Sequence, residues 1–180
     1  MVNARQLFEE NALIQVRSAS PDWISLTIAS VLESKEQVCD YFRKHLQGLS
    51  AGLCDALILA LDELLTNAIE HGCRHNPGCT VEVSLVRTDQ VIMMHVRDQG
   101  PGFPISKTPH AAINNPPGDP LRHVWLRSEL GMRPGGFGIM LVRQIADELI
   151  YNESGNEVML LKYLSNAHLN DWPPDHHVPA

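Results

Sequence analysis

Leu59-Ala-Leu-Asp-Glu-Leu-Leu-Thr-Asn-Ala-Ile-Glu-His-Gly72 is the stretch on which the fold turns. It sets an acid, Glu63, and an amide, Asn67, four residues apart in a run of helical spacing that ends at a glycine, so the two side chains share one helix face. Leu57, Ala60, Leu61, Leu64, Leu65 and Ala68 around them are apolar, which puts the pair at the margin of a buried surface. An acid and an amide in that position need a partner. An amide oxygen is a hard, neutral ligand that suits Mg²⁺, and a carboxylate one turn away can take a proton from an attacking hydroxyl or water. Standing alone, such a pair reads as readily as helix decoration. Two glycine clusters downstream in the chain give it weight.

Val96-Arg-Asp-Gln-Gly-Pro-Gly-Phe103 closes an alternating apolar run and reads as a strand passing into a tight loop. Asp98 then stands at the strand's mouth, where a carboxylate can accept a hydrogen bond from the exocyclic amine of adenine. Gly100 and Gly102 let backbone approach a flat ring that a Cβ would block. Further on, Arg133-Pro-Gly-Gly-Phe-Gly-Ile-Met-Leu-Val-Arg143 places Gly135, Gly136 and Gly138 ahead of an apolar helical run reaching about Leu149. Free N–H groups at a helix start attract phosphate. A Rossmann fingerprint fits poorly, because a third glycine is missing, and so does a P-loop, because no Gly-Lys-Ser/Thr occurs to suggest one.

The chain has 180 residues, 44% of them hydrophobic, enough for one domain with a proper core. Its formal charge of −7, with no basic block, counts against direct contact with nucleic acid. No stretch approaches the length of apolar sequence that a membrane span needs, and Met1 to Glu10 show no export signal, so a cytoplasmic protein without membrane contact is expected. Cys39, Cys54, Cys73 and Cys79 contain no C-x-x-C pair and are expected as reduced thiols. A zinc set of His71, Cys73, His75 and Cys79 is the weaker alternative, since no second paired cluster accompanies it.

Leu13 to Val16 and Trp23 to Ala29 read as an opening antiparallel pair. A helix follows from about Ser34 to Gln47, then the Glu63 helix with Ser50 ahead of it as N-cap. Thr80 to Arg87 and Gln90 to Arg97 read as strands, and Leu149 to Asn152 with Val158 to Leu164 as a closing hairpin. Between Phe103 and Pro134 the density of proline predicts a mobile segment rather than a regular element, with His123 to Leu126 as its docking patch. One domain over residues 1–164 is expected, with this lid at about 103–134 and a loose tail over 165–180 that Trp172 could anchor.

An acid-x3-Asn helix, a strand ending Asp-x-Gly-x-Gly and a Gly-x-Gly opening a helix, in that order, resemble the GHKL (histidine kinase-like) family of ATP-binding domains. The wording Glu-Leu-Leu-Thr-Asn-Ala-Ile-Glu-His-Gly, and Gly-Ile-Met-Leu-Val-Arg-Gln-Ile-Ala-Asp-Glu-Leu after the last glycines, is similar to the anti-sigma factor and serine-protein kinase branch. The resemblance implies a Bergerat-type ATP-binding fold, an α+β two-layer sandwich whose mixed, mostly antiparallel sheet is covered on one face by helices. It implies ATP and Mg²⁺, with Glu63 as catalytic base, Asn67 as metal ligand, Asp98 as adenine anchor beside Gly100 and Gly102, and Gly135, Gly136 and Gly138 at the phosphates. Arg133 is the nearest match to the family's basic lid residue. The last hairpin departs from the pattern: relatives usually carry a threonine near adenine, and here Asn156 or Glu157 stands in its place. The activity implied is a serine/threonine kinase acting on an anti-sigma-factor antagonist and binding a sigma factor. The alternatives are a nucleotide-dependent binding module without transfer, or the detached ATP-binding half of a two-component sensor. Monomer and homodimer both stay open.

Overall fold

The structure, a computed structural model, describes residues 13–76, 78–102, 110–132 and 135–168. Six strands form one sheet in the order β1-β2-β3-β4-β6-β5: β1 Ile14–Ala19, β2 Trp23–Ala29, β3 Thr80–Arg87, β4 Val91–Asp98, β5 Glu148–Tyr151 and β6 Glu157–Tyr163. All five pairings are antiparallel, and no parallel pair occurs among the described residues. Helices α1 (Leu32–His45), α2 (Ala51–Asn67) and α4 (Gly138–Ile145) cover one face, which makes the α+β two-layer sandwich.

Strand alternation decides which residues meet the helices. One cross-strand row runs Ile24, Leu85, Met94, Leu160, Leu149, and the next runs Leu26, Val83, Val96, Val158, Tyr151. Against these rows α2 sets Leu57, Leu61, Leu64 and Leu65, and α1 sets Val38 and Phe42. Truncating one such leucine to alanine costs about 2–5 kcal/mol. A third row, Ile28, Val81, Asp98, obeys the same phase, so Asp98 points into the helix layer where a core residue would otherwise sit. At the other end of β3, buried Arg87 donates to the carbonyls of His45 (2.6 Å) and Gln47 (2.8 Å), satisfying groups that the end of α1 leaves open.

Four expectations are corrected. The last helix stops at Ile145 rather than near Leu149, because Asp147 N–H is already paired with Leu161 O (2.9 Å) and its carboxylate takes Lys162 (2.8 Å) and Tyr163 N–H (2.6 Å), which turns the chain into β5. The proline-rich lid, expected to be mobile, carries a 3₁₀ turn at Ala112–Asn114 and a helix α3 at Arg122–Glu129. Pro116, Pro117 and Pro120 all precede that helix, so none interrupts its hydrogen bonds. Cys73 and Cys79 are joined by a disulfide, their Cα atoms 5.7 Å apart across a tight turn, and only Cys39 and Cys54 keep free thiols. The zinc set falls with it, and no group of three His, Cys, Asp or Glu among the described residues is arranged to hold a metal. Arg133, Trp172 and most of the expected tail lie outside the described residues.

Candidate functional site

Helix α2 runs into a wider π-helical turn at Ala68–Gly72, closed by Cys73 N–H to Ala68 O at 2.7 Å. The widening carries Gly72 beneath the Asp98 carboxylate. A Cβ on Gly72 would lie 2.2 Å from Asp98 Cγ, so only glycine allows this approach. Asp98 is 6% exposed and accepts Gly100 N–H at 2.7 Å. Burial raises its pKa above the usual carboxylate value of 3.8, against the opposing pull of that hydrogen bond.

At Gly100 and Gly102 the surrounding backbone by itself leaves no room for a side chain. A Cβ on Gly100 would meet Gly72 O at 2.2 Å, and one on Gly102, at φ +73°, would run into Ser154 O. Backbone crowding therefore fixes both. A slot of about 20 Å³ lies between Asn67, Asp98, Tyr151 and Asn156. Burial pushes the Tyr151 phenol up to about 12. Asn156 donates to Asp98 O (3.1 Å) and Gly100 O (3.3 Å), which ties the last hairpin to the Asp98 loop, while Glu157 is held by His95 at 2.8 Å.

Asn67 also opens onto a cavity of about 600 Å³ between α2 and the lid. Its walls bring together Glu63, Asn67, Gly102, Gly135, Gly136 and Gly138, six of the nine site residues read from the sequence. Asp98 lines the slot, which Asn67 shares, and Gly100 is held beside it by its N–H to the Asp98 carboxylate. Glu63 faces the start of α4: a Cβ on Gly138 would lie 2.3 Å from Glu63 Oε2, so the carboxylate sits on the helix N-terminus, where the macrodipole favours negative charge. Gly136, at φ +90°, packs on the lid, with a hypothetical Cβ 2.6 Å from His110 O, and its own carbonyl accepts Ala112 N–H at 2.8 Å.

The lid supplies side chains that the sequence reading missed. Buried Arg127 on α3 lines the cavity, as does His110. Burial, and then the Arg127 charge, lower the pKa of His110. Behind them His123 is fully buried, its ring edge-to-face with Phe137 at 4.4 Å. Asn115 holds it from both ends: its side-chain oxygen accepts His123 N–H (2.9 Å), and its amide donates to His123 Nδ1 (2.7 Å) and Pro120 O (2.6 Å). The signal that could have found Arg127 is its place one helical turn after His123, the buried member of the patch read as a docking element.

Residues 28–162 match the model of the histidine kinase-like ATPase domain. The chain belongs to that family. It is 24% identical over 124 residues to the serine-protein kinase RsbW of Oceanobacillus iheyensis, covering 68% of this chain and 73% of that one. It is 32% identical over 110 residues to the anti-sigma F factor of Bacillus cytotoxicus, covering 59% and 67%. These likenesses place it in the anti-sigma and serine-protein kinase branch of the histidine kinase-like ATPases. The signal transduction histidine-protein kinase AfsQ2 of Streptomyces coelicolor shares 44% identity over 50 residues, but only 9% of its length. No described helix is long and apolar enough to cross a membrane.

Proposed function

We propose that this histidine kinase-like ATPase domain binds Mg-ATP in the cavity and transfers the γ-phosphoryl group to a serine or threonine hydroxyl of an anti-sigma-factor antagonist, and that it binds a sigma factor in its nucleotide-bound state. The observation that carries the reading is the placement of Glu63 and Asn67 one turn apart on α2 in the wall of one cavity, with the Glu63 carboxylate against the N-terminus of α4. The names of the two anti-sigma and serine-kinase relatives support the partner class.

Adenine would enter at Asp98, whose buried carboxylate matches an exocyclic amine and repels a guanine carbonyl. The phosphates would then lie toward Gly136 and Gly138, with Arg127 above them. Glu63 would take the proton of the acceptor hydroxyl as its oxygen attacks the γ-phosphorus and the bond to the β-phosphate oxygen breaks, releasing ADP. Backbone N–H groups at the start of α4 and the Arg127 guanidinium offset the charge that develops on the transferred group. Asn67 fits Mg²⁺ as a single hard oxygen donor. With no three-residue metal cluster among the described residues, the phosphates and water must complete the shell. Bound there, the ion supplies neutralisation of phosphate charge.

Co-purification from the native host, with radiolabelled ATP added to the recovered complex, tests the reading. Label should pass to a small partner protein. Glu63→Gln should reduce transfer about a hundredfold while leaving nucleotide affinity nearly intact, and Asn67→Ala should weaken Mg-ATP binding itself. Full transfer by Glu63→Gln would remove Glu63 from the base's role. A wild type that grips its partner with ATP yet transfers nothing would make the domain a binding module.

A further inference from the structure

The Asp98 carboxylate is aimed by a loop that the last hairpin holds in place. Asp98 ends β4, and its Oδ1 accepts the N–H of Gly100 at 2.7 Å. That N–H belongs to the peptide between Gln99 and Gly100, so its direction follows from the peptides on either side. Both are pinned by one side chain. Asn156 Nδ2 donates to Asp98 O at 3.1 Å and to Gly100 O at 3.3 Å, the carbonyls of the preceding and the following peptide. The backbone repeats the tie: Asp98 N–H donates to Asn156 O at 3.0 Å. Gly102 packs so closely on the hairpin turn that a Cβ there would lie 1.9 Å from Ser154 O.

Asn156 is itself held. Asn152 Nδ2 donates to Asn156 Oδ1 at 2.8 Å, while Asn152 Oδ1 accepts the N–H groups of Gly155 (2.8 Å) and Asn156 (3.2 Å). These partners fix the orientation of both amides. Backbone carbonyls only accept and backbone N–H groups only donate, so Asn156 must turn its nitrogen to the loop and its oxygen to Asn152. Both of its amide hydrogens are then spent, and none remains for a nucleotide base. Glu157, the next residue, is held by His95 at 2.8 Å, and His95 stands on β4 in the opposite phase to Asp98.

We infer, on the nucleotide reading above, that Asn156 is a positioning residue for base selection: braced by Asn152, it fixes the Asp98–Gly100 loop so that the Asp98 carboxylate meets an adenine amine. It works without touching the base. With Oδ1 turned to Gly100 N–H, the plane of the carboxylate is set, and an amine in that plane finds an acceptor where a guanine carbonyl finds repulsion. Without the clamp the two loop carbonyls swing, and the Gly100 N–H swings with them. The carboxylate then keeps its charge and loses its direction. Phosphate binding at the Gly136 and Gly138 end of the cavity is untouched, so adenine and guanine nucleotides should approach equal affinity.

The test is calorimetric titration of Mg-ADP and of Mg-GDP into the full chain, read as the ratio of the two affinities. Asn156→Ala should lower the wild-type preference for ADP about tenfold, the worth of two ordinary hydrogen bonds. Asn152→Ala, which leaves Asn156 in place but unbraced, should lower it by about threefold. Asp98→Asn/Asn156→Ala should lose no more preference than Asp98→Asn alone, since both changes act through one carboxylate. Lys162→Met removes the Asp147 pair at the far end of the same hairpin; it should lower the melting temperature and leave the ratio unchanged. Asn156→Ala and Asn152→Ala proteins that both keep the ratio within about twofold of wild type overturn the inference. So does an equal weakening of both nucleotides, the mark of a merely structural residue, or an additive loss in the double variant. A wild type with equal affinity for ADP and GDP, or with none for either, refutes the adenine reading itself, and the clamp with it.

Discussion

Gly138→Ala tests whether the Glu63 carboxylate, proposed above as the base, is positioned by the start of α4. The added Cβ would lie 2.3 Å from Glu63 Oε2 and 3.1 Å from Cδ, where ordinary contact begins at 3.4 Å. The carboxylate must therefore shift by about 1 Å, a misplacement that costs on the order of a hundredfold in rate, or about 2.7 kcal/mol of transition-state stabilisation. The fold should not suffer. The obstructing atom is the end of a flexible side chain, and alanine in a helix is favoured over glycine by about 0.5–1 kcal/mol. Single-turnover transfer from labelled ATP to the co-purified partner reads the first effect, a thermal melt the second, and Mg-ADP calorimetry should find affinity within a few-fold of wild type. Combining the substitution with Glu63→Asp shortens the acid and removes the collision, so the two changes should not add. Unchanged transfer by a folded Gly138→Ala protein would refute the positioning argument. So would a collapse of the melting temperature, which would mean that the neighbour cannot give way.

Gly136→Ala should behave differently, because its Cβ meets a backbone oxygen, His110 O at 2.6 Å, from φ +90°: the lid should undock, and faster amide exchange over Arg122–Glu129 would report it. Asp98→Asn should lose preference for ATP over GTP, and equal preference before and after the change would dismiss the adenine anchor. The same variant tests linkage: the raised pKa of Asp98 means that its buried charge costs nothing below about 3.8 and costs progressively more as pH rises through the folded value, so the stability of Asp98→Asn relative to wild type should grow with pH in urea melts. Asn115→Ala removes three hydrogen bonds from the lid and should cost about 1–3 kcal/mol of local stability, seen as exchange at α3 without a matching loss in the global melt. His123 faces Asn115, Phe137 and Arg127, with His110 nearby, and burial followed by the Arg127 charge lowers its pKa. Its neutral form supports the lid fully above about 6.5 and the support is lost as pH falls below that, so lid proteolysis should accelerate in acid for wild type but not for His123→Phe.

The local parts of this site were legible in the sequence because each is written in a short, regular pattern. The spacing of Leu57, Leu61, Leu64 and Leu65 fixes the face that α2 buries, and with it the face that presents Glu63 and Asn67. Alternation in β4 likewise fixes the side to which Asp98 points, in phase with Ile92, Met94 and Val96. The misses share a cause: a nearby pattern was outweighed by a distant partner. Apolar residues continue past Ile145, but Leu161 and Tyr163 capture Asp147 and begin a strand. Prolines around residue 117 suggested mobility, yet Asn115 and buried His123 build a docked helix just beyond them. The Cys73–Cys79 bridge spans two left-handed residues that are not glycine, Arg74 and His75, which no propensity announces.

The motif glycines show most plainly how the local and distant terms combine. Each glycine was visible as a glycine, but what it makes room for belongs to another motif: Gly72 for the Asp98 carboxylate, Gly138 for the Glu63 carboxylate, Gly136 for the lid carbonyl at His110. Three segments far apart in the chain are thus fitted to one another through missing Cβ atoms, where a tolerance of a few tenths of an ångström separates contact from collision. For that reason alanine at these positions should read out as lost coupling between motifs rather than as damage to any single element. The order of severity should follow what stands opposite: mild for stability at Gly138, where a side-chain tip yields, and severe at Gly136, where backbone does not.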